Sequence, residues 1–243
     1  MNDNNKYTNE ELAEERGKLD GFPLLTHDDF LSNSKGGEFN TYSLLVSIGY
    51  VNKERSCLDM EKYLYENNLE EKLEELKKGG VKVPSIKTIK RHIKKLSNIT
   101  INNQDDFTVI NIINTPNGIA YQIKQSYNGA YYYSIPYKQM VELINFTNSN
   151  VLKLYCILTY TCNQKGFIPV TRDYLCRKMG FENTRGNHNK ISIMLSGLKK
   201  LGYIHIRQEH KTEPLDNGNL KSKTFNYIKL TTYAEWERIT KTK

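Results

Sequence analysis

The sequence predicts an α+β fold, mainly α, in which one order of parts (helix, helix, basic helix, β-hairpin) occurs twice. Three observations predict it. Apolar residues recur at three- and four-residue steps in segments that end at glycine, as in "LEEKLEELKKGG" and "NHNKISIMLSGLKKLG". Two pairs of β-rich runs flank turn chemistry: "FTVINII" and "IAYQIKQ" enclose "TPNG", and "YIHIRQ" and "TFNYIKLT" enclose a polar loop. Ahead of each hairpin lies a helix whose open face holds bases and neutral polar groups but no acid. The halves share little identity, so the repeat is architectural.

The 243 residues suit one large or two modest domains, and an apolar fraction of 38% favours two small cores. Net charge is +8, which makes an anionic partner the first expectation. Residues 1–40 carry nine acids against four bases, so residues 41–243 hold a net +13. No apolar run approaches the ~18 residues of a membrane span, and the polar opening "MNDNNKYTNEELAEERGK" is unlike a signal peptide. A cytoplasmic protein with no membrane partner is expected. Cys57, Cys156, Cys162 and Cys176 have no C-x-x-C spacing, and His27, His92, His188, His205 and His210 are scattered. No metal and no cofactor is expected, and Cys156 and Cys162 read as buried thiols.

Residues 1–40 read as an acidic, weakly ordered N-terminal arm with a short helix over Asn9 to Leu19; Phe22, Leu24 and Leu25 are expected to dock on the body. Residues 41–135 form a first domain. Its first helices are "TYSLLVSIGY" and "CLDMEKYLYENN", the second anchored by Leu58, Tyr63 and Leu64. The acidic helix from Leu69 to Lys78 reads as an insertion before the basic helix "SIKTIKRHIKKL", which starts at Pro84–Ser85. A hairpin at Asn117–Gly118 and a strand "AYYYSIP" close the domain. Residues 136–243 form the second domain. "YKQMVELINF" connects to a helix in "NSNVLKLYCILTYTC", then to a short helix capped by Thr171 and ended by Gly180. A longer helix stops at Gly202, followed by the second hairpin and a C-terminal helix, "TYAEWERIT".

Helix, helix, basic helix and hairpin is the order of a winged helix-turn-helix, here in tandem with small β-hairpin wings. At 100° per residue, Ile86, Ile89, Ile93 and Leu96 fall in one sector, and Lys87, Thr88, Arg91, Lys94 and Lys95 fall opposite. Solvated faces usually mix signs; five bases without an acid in twelve residues point to a polyanion. Lys87, Thr88 and Arg91 sit near the N-terminal end, where base edges are reached, while Lys94 and Lys95 suit phosphates. In the second half Ile191, Met194, Leu195, Leu198 and Leu201 form the buried stripe. Arg185, Asn189, Ser192, Ser196 and Lys200 point the other way, flanked by His188 and Lys199. Ile193 also falls on the open face, to touch a thymine methyl or to pack on its own domain. Arg172, Arg177 and Lys178 are phosphate candidates, and Lys211, Lys221 and Lys223 place charge on the second wing.

"SIKTIKRHIKKL" resembles the recognition helix of winged-helix proteins. The stretch from "YYSIPYKQMVELINF" through "GFIPVTRDYLCRKMGF" to "ISIMLSGLKKLGYIHI" is similar to the second half of plasmid and phage replication proteins of low-GC bacteria. The tandem arrangement resembles the iteron-binding plasmid replication initiators, and the resemblance covers residues 41–230 as pattern. It implies a protein whose two winged-helix domains bind successive major grooves of one repeat. It also implies bending or destabilising of AT-rich DNA and recruitment of host replication proteins.

Patterns for catalysis are missing. No G-x-x-x-x-G-K-[ST] occurs, since "GFENTRGN" lacks the lysine; no His-x-His accompanies the seventeen tyrosines, and no G-x-S-x-G appears. No enzyme is expected. The leading expectation is sequence-specific binding of double-stranded DNA by a replication initiator, with a homodimer possible. The alternatives are a transcriptional regulator or segregation protein of a mobile element, and a winged-helix scaffold for protein–protein contact whose charge only solubilises.

Overall fold

Two short antiparallel strands, β1 (Gly21–Leu25) and β5 (Tyr132–Pro136), join the start of the described chain to its middle, with Gly21 opposite Pro136 and Leu25 opposite Tyr132. The computed structural model describes residues 21–50, 61–101, 107–125, 132–146, 148–162, 165–214 and 220–241. It is a mixed α+β structure with two three-stranded antiparallel sheets besides this pair. Helix α1 (Asp28–Asn33) follows β1, and α2 (Gly36–Ile48) follows at once. Leu24, Leu25, Phe30 and Leu31 are all buried. The expected weakly ordered arm therefore needs correction over residues 21–40: four large apolar side chains there enter the core, and the boundary at 40/41 falls inside α2. The short helix expected over Asn9 to Leu19 lies outside the described residues.

The first half continues as β2 (Glu61–Tyr65), α3 (Glu66–Lys78), α4 (Ile86–Leu96), β3 (Ile110–Thr115) and β4 (Gly118–Lys124). β4 is the central strand: Tyr65 pairs with Ala120 on one side, and Ile113 pairs with Ala120 on the other. A helix over "CLDMEKYLYENN" is thus corrected in its latter part. Glu61–Tyr65 is a strand because two tyrosines suit a pleated surface and the edge of β4 offers its whole ladder. Leu58 lies outside the described residues. The correction also removes the supposed insertion. The acidic α3 directly follows β2 and buries Leu69, Leu73 and Leu76, so it is an integral element between α2 and α4.

In the second half α5 (Tyr137–Asn145) leads into α6 (Val151–Thr161), β6 (Ile168–Val170), α7 (Arg172–Lys178), α8 (Arg185–Lys200), β7 (Ile204–Pro214) and β8 (Leu220–Leu230). Helix α9 (Tyr233–Lys241) closes the chain, with Trp236 buried against Tyr203. The central strand is again the last, β8, between β6 and β7. The second hairpin is longer than expected. "EHKTEPLDNGNLKSK" is mostly ladder, with Lys211 opposite Lys223 and Glu213 opposite Lys221.

The two halves share a junction. α2 packs on both α4 and α6, and α1 packs on α7. Lys153 of α6 is fully buried there, and its ammonium donates to the carbonyls of Ser34 and Met179, which end α1 and α7. Burial pulls its pKa down to about 8. Within the first half Tyr42 ties β1 to the end of β4: its hydroxyl donates to Lys124 O (2.8 Å) and accepts from Leu25 N (3.0 Å). No helix among the described residues is long and apolar enough to cross a membrane.

Candidate nucleic-acid interface

Helix α4 starts where sequence chemistry places it. Ser85 Oγ accepts from Thr88 N (3.3 Å) and lies 3.0 Å from Thr88 Oγ1. Ile89, Ile93 and Leu96 are buried and Ile86 packs half-buried beside them; each full burial is worth about 1.5–3 kcal/mol. That stripe fixes the rotation of the helix, so Lys87, Arg91, Lys94 and Lys95 face outward and Thr88 is half-exposed.

The five bases are not equivalent. Lys90 is 2.7 Å from Glu66 Oε1, and Lys95 is 3.0 Å from Glu38 Oε1. Burial works to raise the pKa of Glu38, but the Lys35 N–H and the Lys95 ammonium outweigh it and hold the carboxylate below its usual range. Lys95, expected to suit phosphates, is thus partly neutralised, with about half of its side chain still exposed. Lys87, Arg91 and Lys94 make no ion pair among the described residues. Sequence reasoning missed both acids, since Glu38 and Glu66 lie far from their partners along the chain and no local spacing signals the pairing. His92 turns inward. Its Nδ1 is 2.7 Å from Thr41 Oγ1, and burial, then the Arg91 and Lys95 charges, lower its pKa despite Glu38.

Beside α4 stands the β3–β4 hairpin. Pro116 and Asn117 make its turn, Asn117 N donates to Thr115 Oγ1 (3.2 Å), and Gly118 takes a positive φ of 107°. Ile112 and Ile119 are exposed on it. An open cleft of about 480 Å³ lies between this turn and α3–α4, lined by Glu66, Glu70, Ile86, Lys90 and Ile119.

Helix α8 follows the same plan with different chemistry. Thr184 caps it by accepting from Asn187 N (3.3 Å), and Ile191, Met194, Leu195 and Leu198 are buried, Leu201 half-buried. Arg185, Asn189, Ile193, Ser196, Lys199 and Lys200 are exposed. Ser192 is half-buried: it donates to His188 O (3.0 Å) and accepts from Arg172 (3.4 Å). Both candidate contact residues are therefore engaged with each other within the fold and remain half-exposed. His188 is 3.0 Å from Asp173. Lys178 is occupied too, paired with Asp28 and lying over the rings of Tyr160 (5.7 Å) and Tyr174 (5.6 Å). Its role is to fasten α7 to α1. Arg177 remains exposed, its guanidinium 5.9 Å from the centre of the Tyr174 ring. On the second sheet Arg207, which sequence reasoning passed over, sits between Phe167 (5.3 Å) and Tyr227 (5.4 Å) and pairs with Glu209.

No cluster of potential metal ligands occurs among the described residues, and Cys156, Cys162 and Cys176 are free buried thiols; burial pushes Cys162 up to about 12. Comparison of the chain with protein-family models, with curated proteins and with solved structures finds no match.

Proposed function

We propose that the chain is a sequence-specific double-stranded DNA-binding protein built from two winged helix-turn-helix units in tandem, acting at the replication origin of a plasmid or phage. One observation carries the reading. The order helix–strand–helix–helix–strand–strand occurs as α2–β2–α3–α4–β3–β4 and again as α6–β6–α7–α8–β7–β8, with the last strand central in both sheets. Each unit braces its third helix from behind and leaves the opposite face open. A helix about 10–12 Å across matches the major groove, and the adjoining hairpin reaches the flanking backbone. The cationic α4 supplies phosphate attraction, and the more neutral α8 suits base edges.

The origin role extends the DNA-binding reading through the resemblance to iteron-binding initiators. It includes host replication proteins and a second copy of the chain as partners; no catalytic step is assigned. Selection of bound duplexes from a random pool tests the core of the proposal, followed by titration against salt. A protein neutralising ~6–10 phosphates loses ~10³–10⁵ in affinity between 50 and 200 mM salt. Retention of no duplex, or salt-independent binding, overturns it. Repeats of the selected site spaced by about two helical turns support an initiator, whereas a single palindromic operator supports a regulator.

A further inference from the structure

We propose that Ile193 of α8 reads the methyl group of a thymine, so that the second unit's target contains an A·T pair opposite the middle of this helix. The inference rests on the DNA-binding reading above.

Ile193 is 67% exposed and is not among the residues packed on the core. Packing on its own unit is therefore no explanation for it. Isoleucine at this position gains little burial and is a poorer helix former than lysine or glutamate, so the fold itself derives nothing from it. A lone exposed apolar side chain is ordinary. What sets this one apart is its surroundings.

At 100° per residue Lys200, Asn189, Ser196, Arg185 and Ser192 follow Ile193 within about 100° of arc. Along the axis the middle of this face, Asn189, Ser192, Ile193 and Ser196, carries no charge, while Arg185 and Lys200 stand at the two ends of the helix. Lys190, on the other flank, is turned to Asn187 Oδ1 at 3.0 Å. From Arg185 to Lys200 is about 22 Å along the axis, longer than the roughly 12 Å width of a major groove. Such a helix sets its cationic ends towards the phosphate walls and its uncharged middle over the base edges. Within the groove the C5-methyl of thymine is the apolar group presented by the bases, and a branched aliphatic side chain is its natural contact. Asn189, one turn before Ile193, has the amide that pairs with the N6 and N7 of adenine.

The test uses the full chain and a duplex selected from a random pool. Each thymidine is replaced in turn by deoxyuridine, which removes only the methyl. One position should weaken binding about fourfold, the worth of one buried methyl group. Ile193→Ala should weaken binding to the thymidine duplex by at least as much and be indifferent to deoxyuridine at that position. If no thymidine position responds with the unaltered protein, or Ile193→Ala keeps the full response, the inference fails while DNA binding stands. If no duplex is retained at all, the DNA-binding reading fails and this inference with it. The deoxyuridine series uses unaltered protein, so it does not depend on how the variant folds.

Discussion

Lys95 Nζ donates to Glu38 Oε1 across 3.0 Å, while Glu38 Oε2 accepts the Lys35 N–H at 2.8 Å. One buried carboxylate thus caps α2 and tethers α4. Its pKa is below the usual 4.5 in the folded chain, so its contribution is complete above the unfolded value and is lost as pH falls through the folded one. Glu38→Gln should cost about 1 kcal/mol at neutral pH and flatten the acid limb of stability, as seen in thermal unfolding between about pH 6 and 3. An unchanged acid limb would show that the tether carries no stability.

Lys153 gives a slope of the same sign at alkaline pH, for the opposite reason. A base held at about 8 in the fold and near 10.5 when unfolded is penalised while charged. Stability should therefore rise as pH climbs from about 8 towards 10.5, where the unfolded chain binds more protons. Lys153→Met should lose that alkaline rise. Lys153→Ala should be destabilised by about 2–4 kcal/mol, since it leaves both a cavity and two carbonyls without a donor. Denaturant titrations at two pH values measure both effects.

Gly180 takes a φ of 69°, and a Cβ added there would run into the carbonyl of Ser32. The conformation and the close approach both require glycine. Gly180→Ala should cost about 2 kcal/mol or more by chemical denaturation. A neutral result would mean that α1 does not press on the turn after α7.

Among the bases of α4, Lys87 makes no ion pair in the described residues whereas Lys90 is engaged with Glu66. Under the proposed function, Lys87→Ala and Arg91→Ala should each lower the salt slope of DNA binding by about one, and Lys90→Ala should change it little. Equal slopes for all three would mean that ion pairing does not sort these residues.

Asn189 is exposed, while the Ser192 hydroxyl is used within the fold. Asn189→Ala should therefore relax the preference for one base pair in a selected pool more than it weakens overall affinity, and more than Ser192→Ala does. The comparison of selected sequences decides it.

The open and buried faces of α4 were legible because each is fixed by local spacing: Ile89, Ile93 and Leu96 leave only one rotation for Lys87 and Arg91. Helix stops at Gly180 and Gly202 were legible for the same reason, each taking a positive φ. Strand β2 was not, since "EKYLY" contains helix formers and becomes a strand only through its pairing with β4. The same limit applies to Glu38, Glu66 and Asp28. Each takes a basic side chain remote in sequence, and no periodicity records such a pairing. Ile193 was half legible: periodicity placed it on the open face, and only its exposure removed the alternative of packing at home.

The ammonium of Lys153 works as a rivet driven from the inside of the joint, gripping the carbonyl ends of α1 and α7. Parting α1 from α7 would break that grip on both carbonyls at once, so the loss falls on the two halves together. Heated in a calorimeter, the chain should melt in a single endotherm rather than in two.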